Sequence, residues 1–264
     1  MANTDLYSLD GRQVGKVELP QIFSIEVKPW LISRAAVAEQ SRRMQPQGHF
    51  VLAGMQTTAA YYGAMMSWRT GRHVGKAIRP REKLGGGALG KIRRIPSSVK
   101  GKRAHPHLIE KDIHETINDG EYRRAVASAV AATASRDGIP SGTSVSLPVV
   151  VSNDIESVSK TKAVLALFKG LKILDYALSS GTRARKGVRR SSIQRLKKHK
   201  ILMVVNADKG IVKAARNIPS VEVSTTSQLS IGKLAPGGAG RVLVIWSEDA
   251  VKGVTEAINR LSLR

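Results

Sequence analysis

The sequence contains no cysteine. Disulfides and thiolate metal sites are therefore excluded, although this alone assigns no compartment. No apolar run approaches the roughly 20 residues that a membrane-spanning helix needs. Residues 1–11 lack the basic segment followed by an apolar stretch that marks a signal peptide, so a soluble, intracellular protein is expected. No internal repeat is detectable. Negative charge is also scarce: 20 Asp and Glu stand against 43 Lys and Arg, a net charge of +23. Such a surplus repels itself unless a polyanion neutralises it, either nucleic acid or an anionic membrane surface. What is present, 42% hydrophobic residues in 264, suffices for one sizeable core or two small ones.

The shortage of acid is local. Residues 67–107 carry 12 basic side chains and one acid, Glu82. Residues 183–200 carry nine more and no acid, while the rest of the chain is nearly balanced. A solvated face or a disordered tail is the ordinary meaning of one charge run, and a nuclear localisation signal is another for the second. Two interior runs in one chain favour a balanced globular body with two cationic appendages that meet nucleic acid.

Periodicity sketches the body. Asp10-Gly11 between residues 6–9 and 14–19 is a hairpin signal. Pro29 opens a helix to about Met44, with Leu31, Ala35 and Ala38 on one face. From 45 to 107 patterning fades into Gly, Pro, Arg and Lys, apart from a short helix expected within 57–68. So long an irregular segment is functional or disordered, and it has too little apolar content to fold on itself. A helix follows at 119–135, carrying Tyr122, Val126, Val130 and Thr133. Strands are expected at 148–151, 201–205, 221–224 and 242–246. Between them lie a helix capped by Ser159, bearing Val164, Leu167, Phe168 and Leu171, and a short helix at 210–216. The last helix starts at Ser247, with Glu248 and Asp249 in its first turn and Val251, Val254, Ile258 and Leu261 at helical spacing. Alternating strands and helices predict an α/β layer with a mainly parallel sheet. Residues 1–44 and 108–264 would form this body, and 45–107 a long basic loop extending from it.

Motifs of chemistry fail on context. Gly85, Gly87 and Gly90 fit G-x-G-x-x-G, and 85–91 nearly fits a phosphate-binding loop. Both need a strand before and a helix after. The flanking 79–83 and 91–96 read as neither, and Ile92 stands where Ser or Thr would hold magnesium. His105, His107 and His114 lack the Cys or spaced carboxylates of a metal site. No catalytic arrangement emerges, so no enzyme activity, cofactor or small-molecule substrate is expected.

The glycine-rich basic loop makes sense as an RNA-binding element. Arg and Lys neutralise phosphates and release counterions, and Arg also forks onto phosphate oxygens or stacks on bases. The candidate contacts are Arg69, Arg72, Lys76, Arg79, Arg81, Lys83, Lys91, Arg93, Arg94, Lys100, Lys102, Arg103 and His105 in the loop. In the second run they are Arg183, Arg185, Lys186, Arg189 and Arg190. Tyr61, Tyr62 and Trp68 at the loop root would either stack on bases or anchor the loop.

Several segments match a known family. Leu6-Tyr7-Ser8-Leu9-Asp10-Gly11 resembles its opening hairpin, and Val99-Lys100-Gly101-Lys102-Arg103-Ala104-His105-Pro106 the return of its long loop. Residues 127–134 resemble its alanine-rich helix. The most specific likeness is Leu234-Ala235-Pro236-Gly237-Gly238 with Gly240-Arg241 and Val244-Ile245-Trp246-Ser247-Glu248. The chain thus resembles, almost end to end, the universal fourth protein of the large ribosomal subunit in its archaeal and eukaryotic branch. The stretch from Gly238 to Arg241 is shorter than the family's, and 181–190 is looser than its Gly/Arg pattern. The resemblance implies a Rossmann-like body on the subunit, partnered by large-subunit rRNA and neighbouring ribosomal proteins. It also implies a loop threaded into rRNA, with its tip, around 81–94, near the nascent-peptide exit tunnel. Weighed against this are an extraribosomal repressor of its own synthesis, a generic DNA binder, and a nucleotide-binding α/β enzyme. The acids after the expected strands at 148–151, 201–205 and 242–246 (Asp154, Asp208, Glu248 and Asp249) would repel phosphate and argue against the last.

Overall fold

The β-branched runs form the middle of a six-stranded sheet. The computed structural model describes residues 3–61, 77–135, 145–178, 201–238 and 242–261, and the backbone of short strands at 182–183 and 196–197. In chain order the strands are β1 (Asn3–Tyr7), β2 (Gln13–Glu18), β3 (Arg81–Lys83), β4 (Leu89–Ile92), β5 (Val149–Val151), β6 (Thr182–Arg183), β7 (Leu196–Lys197), β8 (Ile201–Val205), β9 (Val221–Thr225) and β10 (Leu243–Ser247). The helices are α1 (Pro29–Arg42), α2 (Asp119–Ala132), α3 (Thr161–Gly170), α4 (Leu174–Leu178), α5 (Ile211–Ala215), α6 (Ile231–Leu234) and α7 (Glu248–Arg260). The chain divides into two compact units, Met1–Arg43 with His114–Arg264, and Met44–Ile113.

The large sheet, in the first unit, has the order β2-β1-β5-β10-β8-β9. Every pairing is parallel except β1 with β2. Central parallel strands are covered on both sides, so they are apolar at every position, and β5, β8 and β10 are buried throughout. Alternate residues serve opposite faces. Leu6, Val150, Trp246 and Val204 line up across the strands and pack beneath α1, α2, α6 and α7. Val149, Ile245 and Met203 form the row on the reverse face, beneath α3, α4 and α5. Trp246 is fully buried and meets Phe23 edge to face, with centroids 5.4 Å apart.

Local chemistry sets the boundaries. Pro29 stands in the first turn of α1, where its missing N–H costs nothing. The Ser247 hydroxyl caps α7 by accepting the Ala250 N–H at 3.2 Å, and Glu248 and Asp249 complement the helix dipole. Asp10-Gly11 turns the β1–β2 hairpin with Gly11 at φ +76°. A Cβ on Gly11 would lie 2.6 Å from Gly170 Cα, at the end of α3, so two glycines allow two backbones to touch. The helix expected from Ser159 starts later: Lys160 remains extended and Thr161 begins α3, without a side-chain cap.

Ser41, near the end of α1, closes the first unit at the point where the chain leaves it. Its buried hydroxyl accepts the Glu115 N–H at 3.0 Å, and its carbonyl lies 3.0 Å from His114 Nδ1. The departing and returning segments of the chain are thus joined.

In the second unit, β3 and β4 form an antiparallel hairpin around Gly85–Gly87. A strand does therefore precede these glycines, contrary to the sequence reading. A second strand follows where a phosphate site needs a helix, so the motif still fails. The described part of the helix expected at 57–68 is not helical. Ala60 exchanges both backbone hydrogen bonds with Arg81, at 3.2 and 3.1 Å, which takes the groups a helix would use. Tight turns close 95–101 through Ser98 N–H to the Ile95 carbonyl (3.2 Å) and Gly101 N–H to the Ser98 carbonyl (3.0 Å). Gly54, at φ +75°, packs against the Gly101–Lys102 peptide, again leaving no room for a side chain.

Candidate nucleic-acid interface

In open α/β sheets, ligands bind at the carboxyl ends of the strands. Here that edge is closed by the chain itself. Glu156, in the turn after β5, is 2% exposed. Its carboxylate accepts the Asn206 N–H from the end of β8 at 2.8 Å and the Ser247 hydroxyl from the end of β10 at 3.0 Å. Lys209 Nζ is 3.7 Å away but mostly solvent-exposed. A fixed negative charge thus sits where an anionic ligand would need hydrogen-bond donors. Beside it, a cleft of about 320 Å3 is lined by Asn206, Thr226, Ser227, Gly253, Glu256 and Arg260. Thr226 donates to Asn206 Oδ1 at 3.3 Å, and the exposed Arg260 faces Glu256 at 3.6 Å. Among the described residues, this edge offers no phosphate cradle.

The cations of the second unit have different environments. Arg93, the residue after β4, is turned inward: its side chain is 15% exposed and its Nε meets Glu82 Oε1 at 2.7 Å. Its NH1 donates to the Val99 carbonyl at 2.5 Å, so one guanidinium ties β3 to the 95–101 turns. Arg81 is half-buried, with its NH2 on the Ala77 carbonyl at 3.0 Å. Arg94 is exposed in a left-handed conformation (φ 69°) and reaches the Thr57 carbonyl at 3.3 Å. Arg79 donates to the neighbouring Ile78 carbonyl (2.9 Å), and Arg103 to the His105 carbonyl (3.3 Å). Lys83, Lys91, Lys100, Lys102 and His105 are exposed. Lys100 is also left-handed, at φ 60°, held there by the turns on either side. Glu82, the sole acid of 67–107, is taken by Arg93, so no carboxylate in this segment competes for the remaining cations.

A cleft of about 680 Å3 in the same unit was not legible in the charge runs. It is lined by Met44, Gln45, Gln47, His105, His107 and Lys111 among others. It forms because 45–49 and 105–109 run side by side, joined by His49 N–H to the His107 carbonyl at 3.3 Å. Its lining mixes His105, His107 and Lys111 with apolar Met44, Leu108 and Ile113, a combination that suits an unpaired base and its phosphate. Only that pairing of distant segments creates it, so no local pattern signals it.

The predicted contacts Arg69, Arg72 and Lys76, with Tyr62 and Trp68, lie outside the described residues, as do Arg185, Lys186, Arg189 and Arg190. Arg183 lies in β6, which pairs with β7, and its side chain is likewise outside them. Among the described residues no group of three or more His, Cys, Asp or Glu forms a metal-binding cluster, and no helix is long and apolar enough to cross a membrane.

The model of the ribosomal protein L4/L1 family matches residues 17–257. The chain belongs to this family. Among its relatives is the large ribosomal subunit protein uL4 of Methanococcus vannielii, 36% identical over 96% of this chain and 99% of that protein. The protein of the same name from Methanocaldococcus jannaschii is 35% identical, over 95% and 97% of the two chains. That from Archaeoglobus fulgidus is 36% identical, over 94% and 96%. The matched span runs through both compact units and both basic segments. The family match therefore covers the cationic parts of the chain as well as the parallel strands from β5 onward.

Proposed function

We propose that this chain is a structural, non-enzymatic component of the large ribosomal subunit, working in the cytoplasm by binding rRNA. Residues 1–44 and 108–264 serve as the globular body that docks on folded rRNA. Residues 45–107 act as the long basic loop threaded into the subunit, with the tip near 81–94 close to the nascent-peptide exit tunnel. Filling crevices in this way supports subunit assembly. Neighbouring large-subunit proteins are its other partners. The observation that carries the reading is the family match over 17–257, with archaeal large-subunit relatives of nearly equal length. The charge distribution supports it, since exposed Lys83, Lys91, Arg94, Lys100, Lys102 and Arg103 offer phosphate contacts on a frame fixed by Arg93.

Co-sedimentation of the tagged protein with large subunits in a sucrose gradient, before and after a high-salt wash, tests this. About ten phosphate contacts of a single-strand type would give a log–log salt slope near −7. Retention through high salt is expected if the loop is interlocked with folded rRNA. Migration only at the top of the gradient would overturn the reading.

A further inference from the structure

The cleft of about 680 Å3 in the second unit has walls at the two ends of the basic segment, 45–49 and 105–109. The His49 N–H donates to the His107 carbonyl at 3.3 Å, and His49 Nδ1 lies 3.1 Å from the same oxygen. A Cβ on Gly48 would stand 2.7 Å from Ile109 Cγ1, so the absent side chain lets the walls come together. The Lys111 N–H donates to the Leu108 carbonyl at 3.4 Å, in a turn that brings Lys111 into the lining. Backbone groups and His49 thus hold the walls, and the polar side chains of the lining are left for a ligand.

Those side chains define the chemistry of the occupant. Among the described residues, no hydrogen bond or ion pair engages the side chains of Gln45, Gln47, His105, His107 or Lys111. A glutamine amide both donates and accepts, which matches the mixed donors and acceptors along the edge of a base. Imidazole rings stack on bases, and Met44 and Leu108, 57% and 55% exposed, add apolar surface for a planar ring. The volume falls within the roughly 300–1,000 Å3 of clefts that take small organic groups. Charge agrees. The lining residues include no carboxylate. With their neighbours counted, residues 99–113 carry Lys100, Lys102, Arg103 and Lys111 against Glu110 and Asp112, a net +2. The first three of these cations are exposed on the segment that leads into the second wall.

We propose that this cleft receives one unpaired rRNA base, with the amides of Gln45 and Gln47 on its edge and Lys111 on its phosphate. The proposal deepens the ribosomal reading above and rests on it. Phosphate contacts along the basic segment position the chain, whereas a base held in the cleft adds a contact that depends on sequence. Of the residues that make it, only His105 belongs to the cations and histidines that the charge pattern singles out.

Crosslinking in assembled subunits tests it. Large subunits carrying the tagged full-length chain are purified on a gradient and irradiated with short-wave ultraviolet light, and the adducts are mapped on peptides by mass spectrometry. The expected product is one rRNA nucleotide, from outside the paired helices, joined to residues 44–47 or 105–111. In Gln45→Ala/Gln47→Ala subunits its yield should drop several-fold, with adducts elsewhere in the chain unchanged. Chemical probing should show the same nucleotide several-fold more reactive at its base edge. If that variant does not enter subunits, Lys111→Ala takes its place, with the same drop expected. Well-populated wild-type subunits with no adduct at these residues, as when a protein segment or solvent fills the cleft, would overturn the proposal. So would an adduct whose yield ignores the substitutions. Absence of the unsubstituted chain from the subunit fraction would instead overturn the ribosomal reading.

Discussion

Glu156 shows how far one side chain's meaning depends on its surroundings. In the sequence it is an ordinary acid after a strand, one of two in 152–156. In the structure it joins the ends of β5, β8 and β10 through the Asn206 N–H and the Ser247 hydroxyl. Glu156→Ala takes the acceptor from the buried Ser247 hydroxyl and from the Asn206 N–H and should cost about 1–3 kcal/mol. Glu156→Gln keeps an oxygen and should cost less. Lys209→Met should change stability by less than about 1 kcal/mol, because the exposed lysine contributes little. Urea unfolding of the three variants checks the order, and a large effect of Lys209→Met would refute this account. Tyr122 gives a pH signature. Burial chiefly, with the nearby Glu39 charge, pushes its phenol up to about 12, although the Ile231 backbone N–H works the other way. Between pH 10 and 12 the unfolded chain releases this proton while the folded one keeps it, so stability falls as pH rises. The fall amounts to roughly 2 kcal/mol at pH 12. Tyr122→Phe should flatten that part of the stability profile relative to wild type.

Among the elements, legibility followed apolar content. The runs at 201–205 and 242–246, and the heptad-like spacing of Val251, Val254 and Ile258, identify β8, β10 and α7 because burial alone dictates them. β3 is Arg-Glu-Lys and carries no such signal. It pairs because Ala60 and Ile92 flank it and Arg93 clamps Glu82, relations between residues that local periodicity does not encode. Likewise the list of cations by type could not separate Arg93, which holds the second unit together, from Lys100, which faces solvent. The two should behave oppositely on substitution. Arg93→Lys loses the forked geometry and should speed amide exchange at Ala60 and Arg81. Lys100→Ala should leave exchange unchanged and reduce the salt slope of rRNA binding by about 0.7 if its phosphate contact is single-strand-like. Faster exchange in Lys100→Ala, or none in Arg93→Lys, would reverse these assignments.

For the molecule as a whole, the hydrogen bonds joining Ser41 to His114 and Glu115 hold the ends of the excursion together within the body. Deleting 67–107 should therefore leave a folded body, seen by circular dichroism, that enters mature subunits poorly. Loss of the helical signal would contradict the independence of the body. The same arrangement has a consequence in time. Thr4 donates to the Pro148 carbonyl, a partner 144 residues further along. At roughly 5–20 residues per second, a ribosome would make the intervening chain in about 7–30 seconds. Through that interval β1 has one open edge, and Leu31, Ala35 and Ala38 of α1 await α2 and the sheet. The body's first elements are thus the first to be synthesised and among the last to be covered, so slower translation of 44–148 prolongs their exposure to aggregation.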